Sequence, residues 1–213
     1  MSAAPRINIT DQFCPAADLN NSHIPYSENA RKFSSLLDNL AKSPLIKTER
    51  LNHFAAVNLI GTPAQEILYV RRSSHISHHG QWGSLGGNMD AGETLLTTAI
   101  REGLEEGEHW PQTRLEPTFF TTIYHEKRER VGILIFISIV PKSFKPTLNK
   151  EHDDFAWCTL DKYPGKVLPS LDRTIKSIRP LLIQRMLDPK SLEHHDYGNP
   201  QDYDPNSELI ISS

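Results

Sequence analysis

Cysteine is scarce in this chain of 213 residues, which contains only Cys14 and Cys158. The two residues lie far apart in the sequence and form no CxxC pair, which argues against a disulfide framework or a zinc site built on thiolates. The net charge is also small: the sequence contains 23 Lys and Arg residues and 26 Asp and Glu residues, which gives a net charge of -3. The chain therefore has no general attraction to nucleic-acid phosphates, and we expect no extended nucleic-acid surface.

Long apolar segments are lacking as well. The longest run, Val131 to Val140, has ten residues, about half of the roughly 20 that a membrane-spanning helix requires. We therefore expect a buried strand there and no membrane partner. The first residues do not combine a basic region with an apolar stretch, as a secretory signal peptide would, so a cytoplasmic protein is expected. Hydrophobic residues at 38% are nevertheless enough to build the core of a globular domain.

Between two extensions, residues 50–187 are predicted to contain both strands and helices. An N-terminal extension, residues 1–49, carries the amphipathic spacing of one helix at Glu28–Ala41, and a polar C-terminal tail, residues 188–213, is expected to pack loosely. Five strands are predicted, at Phe54–Ile60, Glu66–Val70, Thr118–Tyr124, Val131–Val140 and Asp154–Thr159. Two helices are predicted, at Glu93–Gly107 and Leu171–Met186. The glycine-rich segment Arg71–Gly92 is predicted to be one long loop, and loops of that length are usually functional.

Three glutamates in the first of these helices are spaced for a common face. Glu102, Glu105 and Glu106 are separated by steps of three and four residues, so their side chains project from one side. Like charges placed in this way repel each other by several tenths of a kcal/mol per pair. A solvated acidic surface is one interpretation. The other is a cation site, for which hard carboxylate oxygens select magnesium or manganese.

The segment around this cluster resembles a known signature. Gly87, five residues, Glu93, seven residues and then Arg101-Glu102-x-x-Glu105-Glu106 closely resemble the box of the Nudix hydrolases, G-x5-E-x7-R-E-U-x-E-E-x-G-U, in which U is apolar. The preceding residues 82–87 resemble the family's W-x-x-P-G-G entry, and residues 151–157 resemble its late E-H-x-E-x-x-W segment. Three positions depart from the pattern: Gly103 replaces an apolar residue, Glu108 replaces a glycine that is found one residue earlier, and Leu85 replaces a proline.

The resemblance implies a Nudix-type α/β/α sandwich with a mixed β-sheet. It also implies a metal-dependent pyrophosphohydrolase that cleaves the diphosphate linkage of a nucleoside triphosphate, dinucleoside polyphosphate or nucleotide conjugate. Two or three Mg²⁺ or Mn²⁺ ions would be held by the three glutamates of the cluster and the carbonyl of Gly86. Arg101 would hold acidic side chains in register. The general base would be Glu102 or Glu151, with Asp153 and Asp154 as further alternatives.

Four residues are candidates for contact with a small-molecule nucleotide substrate. Arg72, together with its neighbour Arg71, is suited to pairing with phosphate, although a solvated strand end is an equal interpretation. Trp82 would stack on a base or belong to the core. Glu93 is a position of the box, and Tyr124 resembles a tyrosine of the dinucleoside polyphosphate hydrolases in the family. The residues upstream of the box also resemble, imperfectly, the upstream motif of the coenzyme A pyrophosphatases.

Two functions of other classes remain as alternatives. One is a Nudix-fold sensor or interaction module that binds nucleotides without hydrolysis, and the other is an isomerase of prenyl diphosphates, for which neither cysteine occupies a recognisable position. The N-terminal helix is expected to pack on the domain or to form the contact of a homodimer.

Overall fold

The computed structural model describes residues 51–90, 93, 95–106, 113, 115–124 and 130–193. The predicted N-terminal helix, the box positions Gly107–His109 and the end of the tail lie outside these residues. Seven strands are described, β1 Leu51–Gly61, β2 Glu66–Arg72, β3 Trp82–Gly83, β4 Leu85–Asn88, β5 Glu116–Tyr124, β6 Arg130–Ile139 and β7 His152–Thr159. Two α-helices, α1 Leu95–Glu106 and α2 Pro169–Leu187, are followed by a 3-10 turn at Pro189–Leu192.

The strands form one mixed sheet. Its main path runs β3-β2-β1-β6-β5, while β4 pairs with β1 and β7 pairs with β2. Strands β1 and β6 are parallel along almost their whole length, from Leu51↔Arg130 to Gly61↔Ile139, and the other pairs are antiparallel. Strands β1 and β2 are consecutive and antiparallel, and they are paired only at Gly61↔Ile67. The long apolar run is thus a central strand, buried between β1 and β5, as its composition predicts.

Helix α1 and helix α2 cover opposite faces of this sheet. Alternate residues of each central strand point to opposite faces, so Leu134 and Phe136 join the core under α1 while Ile135 and Ile137 join the core under α2. Each helix contributes apolar side chains to the core on its own face, and Ala99 is one of those that α1 contributes. The predicted α/β/α sandwich with a mixed sheet is confirmed. Neither described helix is long and apolar enough to cross a membrane.

The prediction of a single loop over Arg71–Gly92 is wrong in part. Strand β2 continues to Arg72, and the segment also contains β3 and β4. Strand β4 is paired with β1 from Ala55↔Asn88 to Asn58↔Leu85. Two of its four residues are glycines, so no alternation of apolar and polar side chains marks it as a strand. The remaining loop, residues 73–81, leads from β2 to β3.

Helix α1 begins two residues later than predicted. Glu93 lies outside it, and its carboxylate accepts hydrogen bonds from the amide of Asp90 at 3.0 Å and from Thr98 Oγ1 at 2.8 Å. These bonds connect Glu93 to Asp90 and to the first turn of the helix. Gly103 is buried within the helix and does not interrupt it, so this departure from the box leaves the helix that carries the glutamates continuous.

Candidate active site

Two glycines of β4 bring backbone and carboxylates close together. Gly86 has a φ of +142°, and a Cβ there would clash with the Ala56 carbonyl oxygen and lie 2.7 Å from Val57 Cα. Gly87 faces helix α1, because a Cβ on it would lie 2.6 Å from the carboxyl carbon of Glu102. Glycine is the residue that permits both the dihedral and the close approach. These two glycines of β4 therefore form the floor against which the glutamates lie.

Arg101 connects three parts of the site. Its guanidinium donates from Nε to Glu93 Oε1 at 2.7 Å and from Nη2 to Glu93 Oε2 at 3.0 Å, a bidentate pair. It also donates to Glu102 Oε1 at 2.8 Å, to Glu105 Oε2 at 3.2 Å and to the Asn88 carbonyl at 3.0 Å. These bonds raise its own pKa. Arg101 therefore fixes the start of α1, two of its glutamates and the end of β4 relative to one another.

Glu106 is the deepest of the three glutamates. It is only 2% exposed, and its Oε2 accepts a hydrogen bond of 2.6 Å from the amide of Gly86. Burial raises the pKa of Glu106 to about 8, and the charges of Glu102 and Glu151 add to the increase. The Gly86 amide and Arg72 act in the opposite direction but do not compensate. The ionised form of this carboxyl therefore requires more positive charge than the described side chains supply.

Glu102 and Glu105 extend the acidic cluster toward solvent. Burial raises the pKa of Glu102 despite its hydrogen bond to Arg101, and the charges of Glu105 and Glu151 raise it further. The Glu102 side chain is 13% exposed and that of Glu105 is 55% exposed. The cluster is thus a stripe along α1 that becomes more open from Glu106 through Glu102 to Glu105.

Glu151 belongs to the same site, although it is distant from α1 in the sequence. Its charge raises the pKa of both Glu102 and Glu106, which reports their proximity. The turn that carries it is clamped to the loop after β2, because the amide of Ser73 donates to the Glu151 carbonyl at 2.8 Å and Ser73 Oγ donates to the Lys150 carbonyl at 2.6 Å. The tertiary structure thus brings Glu151 to the glutamates of α1.

The other two candidate bases are engaged elsewhere. Asp153 accepts a hydrogen bond of 2.7 Å from Arg71 Nε, and Asp154 lies 3.4 Å from Arg71 Nη1. Arg71 also lies over the ring of Trp82 at 5.8 Å. This arrangement links β2, β3 and β7 and gives Arg71 a structural role in addition to the predicted phosphate contact.

The predicted substrate-binding residues are found in different surroundings. Arg72 is half-buried, donates from Nε to the Ser77 carbonyl at 2.7 Å and interacts electrostatically with Glu106 and Glu151, although burial lowers its pKa. The carboxylate of Glu93 is held by Arg101 and Thr98. Burial would raise the pKa of Glu93, but its hydrogen bonds hold that pKa below the usual value.

Trp82 is not brought to the glutamates, and the position of the Tyr124 side chain is outside the described residues. Trp82 is 8% exposed and packs in the core under α2, on the face of the sheet opposite α1. This location favours the core interpretation of Trp82 over stacking on a base. Tyr124 ends β5, but its side chain lies outside the described part of the structure.

His152 is a site residue that the sequence analysis did not single out. It begins β7, is 5% exposed and places its Nδ1 3.5 Å from Glu106 Oε1. Burial lowers its pKa to about 4, and the nearby charge of Arg72 contributes. The imidazole is therefore neutral near pH 7. The resemblance of residues 151–157 to a family segment was the only available signal, and it did not indicate a contact with Glu106.

The oxygen atoms of the acidic stripe are chemically suited to bind a divalent cation. Carboxylate and carbonyl oxygens are the ligands that Mg²⁺ and Mn²⁺ prefer. Burial and the neighbouring carboxylates raise the pKa of Glu102 and Glu106, so a bound cation would stabilise their ionised forms. Within the described residues, no group of three or more His, Cys, Asp or Glu side chains is already arranged as a metal site. In this structure the charge between Glu102 and Glu105 is the guanidinium of Arg101.

Comparison with known proteins identifies the domain. The family model described as NUDIX domain matches residues 51–180. A MutT NUDIX hydrolase from Burkholderia pseudomallei is 18% identical, covers 59% of this chain and 97% of its own length, and superposes with a TM-score of 0.52. The NUDIX domain of Shewanella oneidensis NrtR, solved with ADP-ribose, is 21% identical over 68% of this chain and 97% of its own, with a TM-score of 0.53. The comparison with curated proteins gives no match. At these identities the solved structures show a shared fold.

Proposed function

The chain belongs to the Nudix family, which makes it a hydrolase of phosphoanhydride bonds, and we propose that it uses Mg²⁺ or Mn²⁺ to cleave the diphosphate linkage of a nucleoside diphosphate derivative. The proposed substrates are nucleoside triphosphates, dinucleoside polyphosphates or nucleotide conjugates. The ADP-ribose in the related NUDIX domain is a ligand of this kind. The cytoplasmic location and the homodimer stay predictions.

The observation that supports this proposal most directly is the position of Glu102 and Glu106 against the glycine floor. One carboxylate lies on Gly87 and the other accepts the amide hydrogen of Gly86. A surface helix with solvated glutamates would not bury one of them to 2% exposure. Carboxylates buried together at this cost indicate a site for a positively charged ligand.

Glu102, Glu105 and Glu106 would hold the cations, with the Gly86 carbonyl as a further oxygen donor. Bound divalent cations supply charge neutralisation of the diphosphate and activation of the attacking water. Arg101 keeps Glu102 and Glu105 on the same side of the helix through its bonds to both. Its bidentate pair with Glu93 holds the guanidinium in place independently of these two carboxylates.

We assign the role of general base to Glu151. Its carboxylate has no hydrogen bond or ion pair to any described residue, whereas Glu102 is bonded to Arg101 and Asp153 and Asp154 are bonded to Arg71. A general base needs a free lone pair within reach of the attacking water. Arg72 lies beside the same site and would pair with phosphate through its terminal nitrogens, because its Nε is already bonded to Ser77.

Chromatographic separation of the nucleotide products formed from a panel of nucleoside diphosphate derivatives, with Mg²⁺ or Mn²⁺ and with a chelator, tests the proposal. We expect turnover with at least one substrate, no turnover with the chelator, and a decrease of roughly 100-fold or more in kcat for Glu105→Gln. Glu193→Gln is the matched control, since Glu193 is exposed on the turn after α2, and it should retain wild-type kcat. A Glu105→Gln variant as active as wild type would contradict the assignment of the stripe.

One observation favours a second function. Arg101 already neutralises Glu102 and Glu105, as would suit a sensor that binds a nucleotide without hydrolysing it. Calorimetry with the same panel distinguishes the two functions. Binding of a nucleotide without turnover under any cation condition would support the sensor, and turnover would exclude it.

A further inference from the structure

His152 and Glu106 are two buried polar groups that face each other without a hydrogen bond. The Nδ1–Oε1 distance of 3.5 Å exceeds the usual 2.7–3.2 Å of such a bond. Among the described residues, neither ring nitrogen of His152 has a hydrogen-bond partner. Buried polar groups in folded proteins are nearly always paired, and an unpaired group costs roughly 1–3 kcal/mol. The pair therefore requires an explanation beyond packing.

Glu106 Oε1 is a carboxylate oxygen that lies close to His152 Nδ1. Arg72 is the partner of His152 in the register between β2 and β7, and a guanidinium cannot accept a hydrogen bond. Glu106 can accept one at Oε1, because its Oε2 is the atom that binds the Gly86 amide. A closure of about 0.5 Å between His152 Nδ1 and Glu106 Oε1 would complete the bond.

We propose that His152 is a positioning residue for Glu106, which donates its Nδ1–H to Oε1 when a divalent cation is bound and so holds the carboxylate in ligating orientation. The inference rests on the proposed function. A carboxylate that binds a cation is ionised and can only accept hydrogen bonds. With Gly86 on one oxygen and His152 on the other, the rotation of the Glu106 carboxylate is fixed. Partners of this kind behind metal ligands typically contribute roughly 10–100-fold to metal affinity.

Two substitutions in the full-length protein separate hydrogen bonding from packing. His152→Asn places an amide nitrogen near the position of Nδ1 and keeps a donor, whereas His152→Leu fills the space without one. The first measurement is Mn²⁺ affinity by electron paramagnetic resonance, together with kcat and KM on the substrate found above. We expect His152→Asn to bind Mn²⁺ within about threefold of wild type and His152→Leu to bind it roughly 10–100-fold more weakly. The KM measured at saturating cation should be unchanged.

A second measurement is made on the wild type and uses a variant only to assign its signals. Long-range ¹H–¹⁵N correlation spectra of the wild type with saturating Mg²⁺ report the tautomer of each histidine, and the His152 signals are those missing from the His152→Asn spectrum. We expect His152 to be neutral with the proton on Nδ1.

Three outcomes would overturn the inference: a proton on Nε2, equal Mn²⁺ affinity in wild type and His152→Leu, or an equal loss in both variants, which would indicate packing alone. Failure of the proposed function gives a different result, because wild type itself would then bind no Mn²⁺ and hydrolyse nothing.

Discussion

Replacing Gly87 by alanine should separate activity from stability. A Cβ at this position would lie 2.6 Å from the carboxyl carbon of Glu102 and 2.7 Å from its Oε2. Glu102 Oε1 would be closer still, and ordinary contact begins at 3.4 Å, so the carboxyl group would have to move by about 1 Å. Since the obstacle is the end of a flexible side chain and no backbone atom, the domain can accommodate the methyl group. We expect a loss of stability of about 1 kcal/mol or less.

The same movement should have a large effect on catalysis. A displacement of this size withdraws Glu102 from the position in which Arg101 holds it at 2.8 Å, and misplacement by about 1 Å costs roughly 100-fold in rate. We therefore expect kcat for Gly87→Ala to fall by about 100-fold.

The assay combines kcat on the identified substrate with the thermal midpoint of unfolding. Gly80→Ala is the matched control, because a Cβ there meets nothing within 4 Å. Its φ of +73° should cost about 1 kcal/mol of stability, while kcat remains unchanged. Gly87→Ala with wild-type kcat would refute the assignment of Glu102. Gly87→Ala with a large loss of stability would refute the claim that only a side chain has to move.

Two further predictions concern the charges of the site. In metal-free protein burial raises the pKa of Glu106 to about 8, so the protonated carboxyl contributes stability that is lost as pH rises from about 4.5 to 8. The buried His152, whose pKa is lowered to about 4, acts in the opposite direction below about pH 6.5 in wild type and in Glu106→Gln alike. Denaturant titrations should therefore show that the stability of wild type relative to Glu106→Gln falls by a few kcal/mol over that range, and equal pH dependence in both proteins would argue against the buried carboxyl. Arg101→Lys keeps the positive charge but removes the bidentate pair with Glu93. Because that pair fixes the geometry of the site, kcat should fall by roughly tenfold or more. Rates equal to wild type would show that only the charge of Arg101 is required.

Much of the fold could be predicted from local patterns. The apolar run of β6 identified a central strand, and the spacing of apolar residues in α1 and α2 placed both helices within two residues of their observed ends. Strand β4 could not be predicted, because Gly86 and Gly87 have no side chains from which a pattern of burial could be read. Its pairing with β1 depends on contacts between residues about 30 positions apart.

The site, too, was predicted from local patterns only in part. Spacing alone places Glu102, Glu105 and Glu106 on one side of α1, because the helix repeats every 3.6 residues whatever surrounds it. Which of them would be buried could not be predicted, since burial depends on where β4 lies. Trp82 illustrates the reverse case: its place in the motif suggested the site, but alternation along the sheet directs it to the core under α2.

The sequence by itself therefore determined the carboxylates, their common helix face and the family that they indicate, because these follow from identity and local spacing. Only the tertiary structure decided that Glu106 would be buried against Gly86, that Glu151 would join it from the turn before β7, and that His152 would face it at 3.5 Å. The reason is physical: desolvation and charge interactions depend on distances through space, and the register of β7 against β2 sets those distances.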